Sequence, residues 1–558
     1  MPAIRVLQAN PAVASVSTPT RDWLVAGSRP ERLADRLDES TSFEDAIERV
    51  RSRPGEYTII CVRADAPKRV QAFRSLTSTY DLFYARRPQD GVIVVGDHFR
   101  DVLAELPVEH RTVHPSVAVD QLLFGTRPTG SYVETVGRLG HGERLDWAVD
   151  GSPRTTLVEW LRVDETADPA TTQHRLDDYL ESTIGGAVVD GGSATMLSGG
   201  VDSTLLHSYV ETDATVSAGF DSPEFDFEVE YAREASELLD SSHEHLTFPE
   251  RDYRAHLEAA IDATGLPLLL PQAVLMHLTV AETPYRTYLN GGLADGVFGT
   301  GAAAVAYLAR YLGPLGQMTP GTNGESAALR RACRQLRRPA TDLDGAAMNF
   351  RIHADQQLVA DCVGRDRVEA RKRARLRYTG RRLAFDAGAG YGAHMHLGHA
   401  IEYFHDVILT NWRHAAHAEG KAIVTPFGGR AVLEAALAVP PEHRYARFTR
   451  PPRDHLTHVV RHKYLLKDLL ESKLPAYDGS KPKGHGLLPF GRYLEDGPLA
   501  DVFDRYPLPA FIPARSRETV RDGTGEVTWY AANFAIWRDR VLENDALERF
   551  TTTKVVER

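Results

Sequence analysis

Cysteine is scarce in this chain: Cys61, Cys333 and Cys362 are the only three in 558 residues. They lie far apart and form no CxxC or Cys/His spacing, which excludes a disulfide framework or a cysteine-held zinc as the organising device. A reducing compartment is expected. Long apolar runs are also lacking. No stretch approaches the ~18 uncharged apolar residues of a membrane helix. Met1 to Val16 shows no basic start followed by an apolar core, so no export signal is expected. The reading is a cytoplasmic protein without a membrane partner. Charge of one sign is lacking too: 65 Lys and Arg stand against 76 Asp and Glu, a net −11. That balance argues against a nucleic-acid partner. The one dense basic run, Arg371-Lys-Arg-Ala-Arg-Leu-Arg377, reads as a solvated helix face.

What is present suits a globular protein of more than one domain. Hydrophobic residues make up 42% of the chain, enough for a sizeable core. Up to about residue 160 the pattern is β-rich. Tyr57–Arg63 and Gly91–Gly96 are short apolar runs bounded by charge or glycine. The polar stretch Asp164–Ala170 marks a boundary, giving domains 1–163 and 171–545. Beyond it the pattern changes. Leu176, Tyr179, Leu180 and Ile184 form a helical stripe. A strand at Ala194–Leu197, a glycine loop, a helix from about Thr204, a strand at Ala214–Phe220, a helix at Phe227–Leu239 and the apolar pair Tyr288-Leu289 then alternate. Such alternation predicts an α/β fold with a parallel sheet covered on both faces. Residues 320–550 read as mainly helical.

The loop between the first of these strands and its helix is Ser198-Gly199-Gly200-Val201-Asp202-Ser203-Thr204. Open α/β sheets bind ligands at the carboxyl ends of their strands. Two glycines let backbone approach phosphate oxygens without a Cβ in the way, so the loop amides can face an anion. Ser198, Ser203 and Thr204 add hydroxyls. Asp202 repels phosphate and instead suits the Mg²⁺ that accompanies it. The phosphate lysine of a GxxxxGK[ST] loop is missing. The pattern resembles the PP-loop of ATP-pyrophosphatases, which release pyrophosphate from ATP.

Three further segments resemble the asparagine synthetase family. Leu289-Asn-Gly-Gly-Leu-Ala-Asp-Gly-Val-Phe-Gly299 is similar to its SGEGADExFGG signature, Val424-Thr-Pro-Phe-Gly-Gly-Arg430 to its VPFLD segment, and Lys481-Pro-Lys-Gly-His-Gly-Leu-Leu-Pro489 to its RxKxGF loop. Val133–Glu143 resembles the turn that closes the family's glutaminase domain. The resemblance spans nearly the whole chain and extends to β-lactam synthetases. It implies a degenerate Ntn-hydrolase-like α+β sandwich, then a parallel-sheet PP-loop domain with a helical C-terminal part. It also implies ATP and Mg²⁺ as cofactors. Leu197, Ser198, Gly199, Gly200, Asp202, Ser203, Thr204, Gly219, Asn290 and Gly291 would bind ATP, and Asp202 and Asp295 the metal. Lys483, with Lys481 as its neighbour alternative, would reach the α-phosphate. Lys463 and Lys467 resemble a GKxxLR stretch and are expected to be structural, and Arg413 lies in a segment like the family's DRxSM helix.

The chain departs from that family at three places. A glutaminase of this type needs a cysteine after the initiator Met, and Pro2 stands there. The N-terminal domain is therefore expected not to hydrolyse glutamine. The two glutamates of GEGADE are replaced by Gly292 and Gly296. The ammonium group of aspartate would lose its partner, so another acid becomes the expected substrate. His485, Glu402 and Asp406 are candidates for the base that takes the amine proton. The PFGG variation is expected to alter a loop, not the chemistry. The favoured reading is an ATP-dependent, AMP-forming carbon–nitrogen ligase. It joins a small carboxylate to ammonia or another amine, with a separate protein as a conceivable ammonia source. The alternatives are a nucleotide-binding pseudoenzyme, an intramolecular cyclase of the β-lactam synthetase or lasso-peptide type, and an NAD-synthetase-like enzyme.

Overall fold

The computed structural model describes residues 4–298, 352–385, 398–440, 463–479, 488–550 and 554–557, apart from 11–12, 28–29, 54, 66–67, 128–129, 164–165, 185–191 and 224–225.

Alternation of apolar residues builds the N-terminal half. In strand Arg21–Gly27, Trp23 and Val25 face one way and Leu24 the other; in Tyr57–Arg63, Ile59 and Cys61 oppose Ile60 and Val62. Successive strand residues point to opposite faces, so both faces of this sheet are apolar and both are covered. One face carries helices Pro30–Leu37 and Phe43–Arg51. The other packs on a second sheet through Leu24, Ile60, Val62, Ile4, Ile93 and Val95. The result is a two-sheet sandwich, six strands against five. The fifth strand of the smaller sheet is Lys554–Glu557, antiparallel to Ile4–Gln8. The end of the chain thus covers an apolar edge that would otherwise invite pairing with another chain. This strand lies beyond the boundary expected at residue 545.

The second half contains a five-stranded, all-parallel sheet in the order His243–Phe248, Ala214–Phe220, Ser193–Met196, Thr287–Leu289, Ala422–Val424. From the central strand Ser193–Met196 the chain moves outward one way for two strands, then returns to pair on the other side. The loops after Met196 and after Leu289 therefore part at a crevice, the usual ligand position in open α/β sheets. The last strand, Ala422–Val424, lies in a stretch that reads as helical. Three residues are too few for period-2 alternation to register. The glycine-loop helix spans Val201–His207, starting earlier than the Thr204 expected, because Gly200 already adopts an extended N-cap conformation.

The two halves share one core. Leu7, Phe83 and Val94 of the five-stranded sandwich sheet pack with Leu257, Leu268, Trp529 and Trp537 of the second half. Buried ion pairs cross the same boundary. Arg413 bonds Glu56 and Thr79, Arg430 bonds Glu159, and Arg382 reaches Glu143 at 2.7 Å. The basic run belongs to this seam. It lies on helix Arg365–Gly380, where Arg371 holds Asp120 at 2.7 and 2.8 Å and Arg375 holds Glu402 at 2.7 Å. It is thus not a wholly solvated face: two of its cations neutralise buried carboxylates. Among the described residues no helix is long and apolar enough to cross a membrane.

Candidate functional site

The glycine loop is shaped by its own side chains. Ser203 Oγ accepts from the Ser198 amide at 3.2 Å and lies 3.2 Å from Ser198 Oγ, tying the loop to the first helical turn. Gly199 has φ +70°, and a Cβ there would overlap the Tyr231 carbonyl on helix Asp226–Leu238. Both the backbone conformation and the space require glycine. Tyr477 closes the loop from outside, donating to Gly199 O at 3.0 Å.

The second loop, after Leu289, presses against the first. A Cβ on Gly291 would sit 3.0 Å from Ser203 N and 3.1 Å from Asp202 Cβ. Asn290 is fastened by its amide to Val424 O (2.9 Å) and through Oδ1 accepts from Gly292 N (2.6 Å). Leu293 then takes φ +80° and starts the short helix Ala294–Phe298, which carries Asp295. A buried branched residue in that region is strained, and such strain gathers at functional sites. Lys463, with φ +55°, is a second such residue.

Lys463 is the residue that joins the two loops. Its ammonium lies 2.5 Å from Asp202 Oδ2 and 2.5 Å from Asp295 Oδ1, with its side chain 5% exposed. Burial pulls its pKa down, but the two carboxylates outweigh burial and hold it above lysine's ordinary value. The resemblance to a GKxxLR stretch implies a structural lysine; the structure brings it against Asp202 and Asp295, a convergence that is three-dimensional. Lys467, one turn on, is buried in the same helix, Tyr464–Lys473. Lys483, Lys481 and His485 lie outside the described residues, as does Pro2.

A cleft of about 340 Å³ opens beside this cluster. Leu197, Ser198, Asp202, Ser203, Asn290 and Gly291, all of the expected ATP-binding set, line it. Two residues of the expected ATP-binding set lie off the cleft lining. Thr204 is fully buried beneath the loop, its amide bonded to Gly200 O at 3.1 Å, because position 204 falls on the inner face of the helix. Gly219 is buried opposite Thr247, and its strand reaches the cleft instead with Val216, Ser217 and Ala218. Gly199 and Gly200 shape the loop from behind. Glu402 does not stand as an unpaired base: Thr379 and Arg375 hold it, fully buried. The side chain of Asp406 lies outside the described residues. Sequence reasoning misses Trp412, which lines the cleft over Gly292; a Cβ on Gly292 would lie 2.9 Å from the indole and 2.9 Å from Leu409 Cδ2. The PFGG variation has a local cause, since a Cβ on Gly429 would collide with the Tyr179 hydroxyl.

A glycine loop and a carboxylate–lysine cluster at the switch point of a parallel sheet define an α/β protein built to receive a ligand at its strand ends. The sequence profile of the asparagine synthase family matches residues 179–524, more than half of the chain, and covers this sheet, both loops and Lys463. The chain belongs to the asparagine synthase family, and so among the ATP-using, amide-forming ligases. A search of curated proteins finds no match.

Proposed function

We propose that this chain transfers the AMP portion of ATP to a small-molecule carboxylate and passes the resulting acyl group to ammonia or another amine. The observation that carries this reading is the Lys463 ammonium held between Asp202 and Asp295 beside the glycine loop. Both carboxylate oxygens converge on one cation position, and hard oxygen donors suit Mg²⁺. Asp202 and Asp295 would hold that ion, which supplies neutralisation of phosphate charge when bound.

The chain's own groups divide the work. Amides of the Ser198–Gly200 loop and the Ser198 and Ser203 hydroxyls hold the β- and γ-phosphates. Lys463 turns from the aspartates to the α-phosphate as the carboxylate oxygen attacks phosphorus and the bond to the β-phosphate oxygen breaks. A preplaced cation at that centre stabilises charge that develops only in the transition state. Pyrophosphate leaves. The amine then attacks the acyl carbon and gives up one proton to solvent, the bond from that carbon to the AMP oxygen breaks, and AMP departs with the electron pair. Lys481 and Lys483 are further candidates for the phosphates.

With Gly292 and Gly296 in place of glutamates, and Trp412 over Gly292, the acid is other than free aspartate. With Pro2 at the nucleophile position, the nitrogen arrives as free ammonia or an amine, not by glutamine hydrolysis here. The test is nucleotide chromatography of the purified chain with ATP, Mg²⁺, ammonium and either aspartate or a cellular small-molecule fraction. AMP and pyrophosphate should appear only with the cellular fraction, and Asp202→Ala should abolish them while the protein stays folded. Detectable ATP binding without AMP in any sample would make the chain a nucleotide-binding pseudoenzyme.

A further inference from the structure

The cleft runs from the glycine loop to the neighbouring strands Ala214–Phe220 and His243–Phe248. There, Thr215 pairs with His243 and Ser217 with His245. Their side chains form a hydrogen-bond chain whose direction follows from counting protons. Thr215 Oγ1 lies 2.8 Å from Ser242 O and 2.9 Å from His243 Nδ1. A carbonyl only accepts, so the single threonine proton goes to Ser242. Thr215 must then accept from His243, which places a proton on Nδ1. Burial holds the His243 pKa down to about 4, so at neutral pH the ring is neutral and Nε2 keeps a lone pair. Ser217 Oγ, 3.0 Å from that nitrogen, donates to it. Its proton spent, Ser217 accepts from His245 Nδ1 at 2.8 Å. Burial lowers the His245 pKa too, so this ring is also neutral. Its Nε2 is therefore an acceptor. The tautomer is imposed by the chain of partners, not chosen by the ring itself.

His245 lines the cleft, and among the described residues its Nε2 has no hydrogen-bond partner. The cleft also has an apolar wall, formed by Leu275 and Met276 on helix Ala273–Glu282 with Val216 and Ala218, whose side chains alternate to the strand face opposite Ser217 and His245. A cleft with an apolar wall and one oriented acceptor matches a heterocyclic base with a donor on its edge. The phosphate loop and Lys463 lie on the central strand's side, which leaves this part of the cleft for the base.

We propose that His245 is a specificity-determining residue that reads the purine, its Nε2 accepting a hydrogen bond from the 6-amino group of adenine. Ser217, His243 and Thr215 are positioning residues that hold it in the accepting tautomer. A 6-oxo purine would set an oxygen lone pair against that nitrogen, leaving two buried acceptors unpaired. The inference rests on the ATP reading above and extends it to the recognition of the base.

The test is equilibrium dialysis of the full chain with Mg²⁺ and either ATP or inosine triphosphate, whose base differs at the 6-position by an oxo group. The wild-type chain should favour ATP by about tenfold or more, the scale of one buried hydrogen bond. His245→Phe should bring the ratio close to one. Ser217→Ala should also reduce it, although His245 is intact, because the ring is then free to take the donating tautomer. A purely structural role for Ser217 would weaken both nucleotides alike and leave the ratio unchanged. Circular dichroism confirms that each variant is folded. Equal binding of the two nucleotides by wild-type protein, or a ratio that survives both substitutions, overturns the proposal and leaves the ATP reading standing. Binding of neither nucleotide by wild-type protein overturns both.

Discussion

Lys463 and Asp202 lie 261 positions apart in the chain, yet the ammonium nitrogen of one is 2.5 Å from a carboxylate oxygen of the other. Asp295 meets the same nitrogen at 2.5 Å. The lysine thus occupies the point on which both carboxylates converge.

A divalent cation needs those same oxygens, so lysine and metal compete. Lys463→Met should raise the affinity of the nucleotide-free protein for Mn²⁺, read by electron paramagnetic resonance of free Mn²⁺. It should also make the thermal midpoint rise with Mn²⁺ concentration more steeply than in wild-type protein. AMP formation should fall by about 10²–10³-fold, the usual loss for a group that stabilises transition-state charge. An unchanged Mn²⁺ affinity would mean that the ammonium does not compete with metal.

Gly292 and Trp412 are matched. Gly292→Glu inserts a side chain where the indole already lies 2.9 Å from the position of a Cβ. Alone it should destabilise the protein by about 1–3 kcal/mol through overpacking. Combined with Trp412→Ala it should lose much of that cost. Urea unfolding of the four members of the cycle measures the coupling, and additive effects would rule out the contact as the cause.

The Glu56–Arg413 pair joins the N-terminal sandwich to helix Thr410–Ala418, which also carries Trp412. Both side chains are buried, at 6% and 2% exposure, so removing one leaves the other charge unpaired. Glu56→Ala should cost about 3–5 kcal/mol, and Glu56→Ala with Arg413→Met should cost less than Glu56→Ala alone. Equilibrium denaturation decides. If Glu56→Ala proved neutral, this contact would not fasten the halves.

Acid should destabilise the fold between about pH 6.5 and pH 4. Burial holds His414 down to about 4, and its ring stacks 4.3 Å from that of His98, which burial also holds well below the usual histidine value. A histidine with a depressed folded pKa contributes stability that is complete above its unfolded value, near 6.5, and is lost as pH falls through 6.5 towards 4. Asp97 and Asp101 act in the opposite sense. Burial raises them to about 6 and about 7, so their contribution is present at low pH and lost as pH rises. The histidines dominate because His207 and His243 are also held at about 4, and burial holds His417 well below the usual histidine value. His414→Leu should remove a slope of about 1.4 kcal/mol per pH unit from unfolding free energies measured between pH 6 and 4.5. An unaltered slope would show that His414 does not titrate on unfolding.

Features written in neighbouring residues are legible in the amino-acid sequence alone. The apolar run Tyr57–Arg63, the stripe Leu176, Leu180 and Ile184, and the strand–glycine–helix order around Ser198 all persist in the fold. The strands Ala422–Val424 and Lys554–Glu557 are not legible there, since three or four residues carry too little periodicity to declare a strand and only a partner makes them one.

The sequence by itself determined the glycine loop and the aspartate that follows it, because backbone freedom at Gly199 and the chemistry of Asp202 are local properties. Tertiary structure alone decided which lysine meets that aspartate, that Thr204 faces inward, and which nitrogen of His245 carries a proton. Each of these depends on groups brought together from distant strands and helices, where burial strengthens electrostatic pairing and leaves every donor and acceptor to find its partner inside the fold.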